Sequence, residues 1–186
     1  MSETGESAKR ATAGSVRAEC EEFLYHAAEL LDDCQPTDWH ELVTEDVSYR
    51  VPIRTTRERS NRSEFSDSSY FMREDWGTLK VRAERMENDF AWSEDPPSRT
   101  RRQVTNVRVN HVEDGEIELK NNLVIIRSRK DEIDPEFISM ERHDTLRRTE
   151  GGYVPQRREE PGLKLARRRI LLDHTVLPTN SLSIIL

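Results

Sequence analysis

The chain has 186 residues, a length that suits one domain able to bury its own core. Hydrophobic residues make up 34% and charged residues 35%, so the core is lean and the surface heavily charged. The net charge of −7 argues against nucleic-acid and anionic-membrane partners, and no apolar stretch approaches the 18 or more residues of a membrane span.

Residues 1–15 are small, polar and charged, and read as a disordered tail ahead of a single domain over 16–186. Val16, Cys20, Phe23, Leu24, Ala27, Leu30, Leu31 and Cys34 recur at helical spacing, and Asp32, Asp33 and Pro36 close that helix. On such a helix Cys20 and Cys34 lie about 21 Å apart, too far for a disulfide. Two separate thiols and no leader segment are expected of a cytoplasmic protein. Asp38 reads as the N-cap of a short second helix carrying Trp39, Leu42 and Val43.

Val47, Tyr49, Val51 and Ile53 alternate as a half-buried strand, with Pro52 marking an edge or a bulge. The polar, arginine-rich stretch 54–69 reads as a long loop. Met72, Trp76, Leu79, Ala83, Met86 and Phe90 read as a third amphipathic helix, closed by the extended Pro96-Pro97 step. The last third reads as strands. A hairpin turns at Asp114-Gly115, another strand covers about Phe137 to Arg148, and a final strand covers Leu163 to Val176. The charged, proline-bearing segment 154–162 reads as a loop. The apolar residues Leu182 to Leu186 are expected to dock rather than to hang free. Helices segregated from a mainly antiparallel sheet define an α+β class. Three N-terminal helices on a curved sheet suit the cone-like nuclear-transport-factor-2-like fold.

Chemical motifs are sparse. Neither cysteine has a histidine close behind it, as a Rieske cluster needs, and the five histidines show no metal-ligand spacing. No nucleophile elbow, phosphate loop or dinucleotide fingerprint occurs. Acid–base chemistry in the pocket of a cone is the main catalytic alternative, with His143 or His111 working beside Asp32, Asp46 or Asp144. That reading describes a stand-alone dehydratase or isomerase, or a small-ligand binding protein.

Of 29 basic residues only five are lysine, and arginine is the residue of choice for two-pronged contacts across interfaces. The segment from Phe90 to Arg102 combines aromatics, acids, a rigid Pro-Pro step and spaced arginines. Trp92 reads as an interface anchor, and Arg99, Arg101 and Arg102 as forks for a neighbour's carboxylates.

At these residues the chain resembles the small (beta) subunit of aromatic-ring-hydroxylating dioxygenases, the Rieske non-haem iron oxygenases. The likeness runs from Glu22-Phe23-Leu24-Tyr25 and Glu29-Leu30-Leu31-Asp32 through Tyr49, Pro52 and Arg54-Thr55-Thr56-Arg57 to Phe65-Ser66-Asp67. It continues through Trp92 to Arg102 with Asn106-Val107, then Arg167 to Asp173 and Asn180 to Ser183. The resemblance implies a cone-like fold, self-association as a trimer and a hetero-hexamer with three large (alpha) subunits. It implies that the large subunit holds the Rieske [2Fe-2S] cluster and the mononuclear Fe(II), with no cofactor, metal or catalytic residue in this chain. A longer N-terminal tail and the 154–162 insertion depart from the pattern.

Overall fold

The computed structural model describes residues 3–55, 64–87, 97–130, 132–154, 162–179 and 183–186. The elements run α1 (Glu3–Asp32), α2 (Pro36–His40), β1 (Val43–Arg54), β2 (Phe65–Glu74), α3 (Trp76–Glu87), β3 (Arg99–Glu113), β4 (Glu116–Ser128), β5 (Glu136–Thr149) and β6 (Gly162–Leu172). The six strands form one sheet in the order β2-β1-β6-β5-β4-β3. Every neighbouring pair is antiparallel except β1 with β6.

Helix α1 starts at Glu3, inside the stretch read from sequence as a disordered tail. Ala8, Ala11 and Ala13 are strong helix formers that extend an established nucleus at little entropic cost. At its other end Cys34 takes the left-handed conformation (φ 59°), and the Gln35 N–H donates to the Leu30 carbonyl at 2.7 Å. That bond closes the helix in a Schellman turn. Helix α2 then begins with Pro36, and Gln35 rather than Asp38 occupies the N-cap. Pro36 has no N–H to satisfy and suits the first helical position.

The third helix differs most from the sequence reading. It follows β2 in the chain and packs against α2, where His40 Nε2 lies 3.0 Å from the Trp76 carbonyl oxygen, and it starts at Trp76. Asp75 caps it, with the Thr78 N–H donating to Asp75 Oδ1 at 2.9 Å and the Asp75 N–H donating to Thr78 Oγ1 at 2.8 Å. Met72 and Phe65 belong instead to β2, a strand where a loop was expected. β2 is a sheet edge with one buried residue, Met72, so it lacks the alternation that announces a strand. Pro52 does sit at a bulge: the β1–β2 register shifts on both sides of it. Phe90 lies outside the described residues.

Alternation sorts each strand into two faces. The inner face carries Val47, Tyr49 and Val51 from β1, Ile117 to Ile125 at every second position in β4, Ile138 and Met140 from β5, and Ile170 and Leu172 from β6. It packs on Cys20, Phe23, Leu24, Ala27 and Leu31 of α1. In β6 the burial phase flips at Ala166, where pairing with β5 skips from Leu165–Leu146 to Arg167–Thr145. Leu163 and Leu165 point inward before that bulge, and Arg168, Ile170 and Leu172 after it. The strand ends at Leu172, short of Val176, which is 83% exposed. Ile184, Ile185 and Leu186 return to the core, between 0 and 3% exposed.

Candidate functional site

The inner face is not wholly apolar. Strand register sets Leu119, Asp144, Arg168 and Tyr49 side by side in one row, and Asn121, Arg142 and Ile170 in the next. Asp144 accepts from Arg168 through both oxygens, at 2.8 Å from Nε and 2.9 Å from Nη2, and from Asn121 Nδ2 at 3.0 Å. Asn121 Oδ1 in turn accepts from Arg142 Nε at 2.7 Å. Burial pushes the Asp144 carboxyl upward, but the charges of Arg168 and Arg142 and the bonds it accepts hold it below its ordinary value. Burial works against the Arg168 guanidinium too, and Asp144 more than offsets it, so Arg168 stays protonated. Arg142 is pulled down to about 9 by burial and then by the like charge of Arg168.

A second buried cluster ties the ends of the chain together. Arg102 Nη1 meets Asp32 Oδ1 at 2.6 Å, its backbone N–H meets Asp32 Oδ2 at 2.8 Å, and its Nη2 donates to the Ile185 carbonyl at 2.6 Å. Thr100 Oγ1 donates to the same Asp32 oxygen at 2.8 Å. Tyr49 Oη donates to the Leu186 backbone oxygen at 2.5 Å. Arg127, fully buried, reaches Ser98, Thr179 and Ser183 at 3.0–3.1 Å. Among the described residues these ion pairs and residues 184–186 lie buried between helix and sheet.

The histidine–aspartate couple weighed from sequence does not form. Because Asp144 faces inward, His143 beside it in β5 faces outward, where Nε2 lies 2.5 Å from Glu141 Oε1. His111 is exposed and bonded to Glu113 at 2.9 Å. Asp32 is held by Arg102, and Asp46 accepts from Arg147 at 2.9 Å. Among the described residues no group of three His, Cys, Asp or Glu side chains converges as a metal site. Nor, among the described residues, is any helix long and apolar enough to cross a membrane.

Arg99 and Arg101 are exposed on β3, an edge strand, and each donates to a backbone carbonyl, of Lys130 at 3.1 Å and Thr100 at 2.8 Å. Arg102 differs from its two neighbours: its side chain is 2% exposed and is spent within the chain, so it cannot fork onto a neighbour. Trp92 and nearly all of the 154–162 segment lie outside the described residues. On the outer face an open cleft of about 470 Å³ has Arg50, Lys120, His143, Arg167 and Arg169 among its lining residues, together with Glu118, Asn110, Ser48 and Thr145. The sequence reading missed this face and the buried arginines. The signal for Arg142 and Arg168 was polar residues falling in phase with buried ones along β5 and β6.

A family profile described as "Ring hydroxylating beta subunit" matches residues 26–179. The beta subunit of benzene 1,2-dioxygenase from Pseudomonas putida is 36% identical over 175 residues, spanning 92% of this chain and 89% of the relative. The beta subunit of biphenyl 2,3-dioxygenase from Rhodococcus jostii is 35% identical over 173 residues, spanning 91% and 88%. Among solved structures, a chain of naphthalene 1,2-dioxygenase with indole bound in the active site superposes with a TM-score of 0.75 at 24% identity, covering 96% of this chain and 93% of that one. A putative scytalone dehydratase from Novosphingobium aromaticivorans shares the fold more distantly, with a TM-score of 0.57 at 14% identity, covering 94% and 89%.

Proposed function

Since the chain belongs to the family of ring-hydroxylating beta subunits, we propose that it is the small, non-catalytic subunit of a multicomponent aromatic-ring-hydroxylating dioxygenase. Its work is to hold large subunits in place. The Rieske cluster and the mononuclear iron belong to the large subunit. The small subunit self-associates as a trimer inside a hetero-hexamer, in the cytoplasm, with the cone-like nuclear-transport-factor-2-like arrangement of its helices and sheet.

The observation that carries this reading is the interior. A stand-alone enzyme of this architecture needs an open pocket and a proton-transfer group inside it. Here the inward positions hold Asp144 saturated by Arg168 and Asn121, and Asp32 saturated by Arg102 and Thr100. Residues 184–186 fill space beside them. A carboxylate locked between guanidinium donors and held below its ordinary value is a poor general base.

Co-expression with a large subunit of this dioxygenase family, followed by affinity capture through a tag on that subunit, tests the reading. The expected result is a complex that oxygenates an aromatic ring only when both chains are present. Recovery of full activity from the large subunit alone overturns the scaffold role. Arg99 and Arg101 are proposed as contacts with a neighbouring subunit, with Trp92 as an anchor. Arg101→Glu is expected to weaken capture about tenfold or more, and an unchanged complex rejects that assignment.

A further inference from the structure

Among the described residues each fully buried guanidinium has a carboxylate against it, with one exception. Arg102 meets Asp32 at 2.6 Å, Arg168 meets Asp144 at 2.8 Å, and Arg127 reaches Glu136 at 3.4 Å. Arg142, 4% exposed, has no carboxylate within ion-pair reach among the described residues. Its side chain makes a neutral bond instead, from Nε to Asn121 Oδ1 at 2.7 Å. Its Nη2 is buried with no hydrogen-bond partner among the described residues, and so is Nε of Arg102.

Register leaves Arg142 in this position. It pairs with Asn121 of β4 and Ile170 of β6, between the inward row of Asp144 and the apolar row of Leu123, Met140 and Leu172. Asp144 is near enough for its charge to act on Arg142, but its oxygens already accept from Arg168 Nε and Nη2 and from Asn121 Nδ2. The charge of Arg102 acts on Arg142 as well. Three guanidinium groups, Arg102, Arg142 and Arg168, thus share two carboxylates, Asp32 and Asp144, and one positive charge is left over. A buried charge without a counter-charge is costly, and a guanidinium does not escape by shedding its proton at neutral pH. Burial and Arg168 pull Arg142 down to about 9, which still leaves it protonated there. A water molecule satisfies an N–H but cancels no charge, whereas an anion does both.

We propose that the interior of this chain binds one small monovalent anion at Arg142, chloride in ordinary buffers, as the counter-ion of that guanidinium. Nη2 of Arg142 is the primary donor, and Nε of Arg102 is the other buried N–H of the cluster left to bond. The flanking Leu123, Met140 and Leu172 are fully or almost fully buried, so an ion that sheds its water at little cost is favoured. One charge needs cancelling, so a divalent anion such as sulfate overcompensates it. The inference is independent of the assembly reading, because it concerns the folding of a single chain.

The test is urea unfolding of the full chain at neutral pH and constant ionic strength, with gluconate exchanged stepwise for chloride. An anion bound only by the folded state raises the folded-to-unfolded ratio in proportion to its concentration once the site is filled. Each tenfold rise in chloride above that point is therefore expected to raise the ratio about tenfold. Bromide is expected to substitute for chloride and sulfate is not. In crystals grown with bromide, anomalous scattering is expected to place one ion against Arg142. Arg142→Met is expected to abolish the chloride response while matching or exceeding wild-type stability in gluconate, because the unpaired charge is removed with the site. If Arg142 serves packing alone, the same variant is weakened by an equal factor in every anion, and that result overturns the inference. Arg142→Lys keeps the charge and is expected to keep the response, so it reads out the site should the methionine variant fail to fold. Stability indifferent to chloride at fixed ionic strength overturns the inference. So does a chloride response that survives Arg142→Met, or bromide found at surface positions as an adventitious ion only.

Discussion

In a strand whose residues alternate between faces, Arg99 and Arg101 reach solvent while Thr100 and Arg102 turn inward, and that parity decides their energetics. Arg102 and Asp32 are a buried pair, each of whose charges is stranded if the other is removed. Arg102→Ala is expected to destabilise the chain by about 3–5 kcal/mol in denaturant unfolding, far more than Arg99→Ala. Asp144 makes a pH prediction. Its folded carboxyl lies below the ordinary 3.8, so the unfolded chain binds a proton more readily than the folded one. The stability it contributes is present above that ordinary value and lost as pH falls through the lower folded one. Asp144→Asn is expected to flatten that acid limb of a stability–pH profile. The cysteines divide the same way. Burial pushes the Cys20 thiol up to about 12, while Cys34 is exposed, so a thiol reagent should modify one cysteine in the native chain and two after denaturation.

Elements with a strong period are legible in the sequence. The core stripe of α1, the Asp114-Gly115 hairpin and the alternation of β4 all recur in the fold, because each depends on neighbours only a few residues away. β2 and the start of α3 are not. Met72 and Trp76 stand four apart and mimic a helical stripe, but Asp75 and Thr78 cap the helix between them and hand Met72 to the sheet. The junction of β5 and β6 depends on a contact no local pattern announces. A Cβ on Gly162 would stand 2.1 Å from the Gly152 carbonyl oxygen, so the two backbones touch where Tyr153 and Leu163 bridge. Gly162→Ala is expected to cost about 1–3 kcal/mol or more through overpacking, with a lowered melting temperature as the readout.

At the scale of the whole molecule, residues 184–186 close the inner layer. Leu186 is fully buried, and its neighbour Ile185 is gripped by Arg102. Leu186→Ala is expected to cost about 2–5 kcal/mol, measured by chemical denaturation. It also removes apolar cover beside Tyr49. By itself the sequence determined the α+β class, the family and the want of ligand spacings, since these reside in local periods and in motifs read along the chain. Only the tertiary structure decided which charges face one another. Asp144 meets Arg168 across 24 positions because pairing register and the bulge at Ala166 turn both inward, and Asp32 meets Arg102 across 70 because α1 packs on β3. A one-residue slip in any strand turns its inward charges to solvent and its surface charges into the core, and nothing in the linear order records that choice.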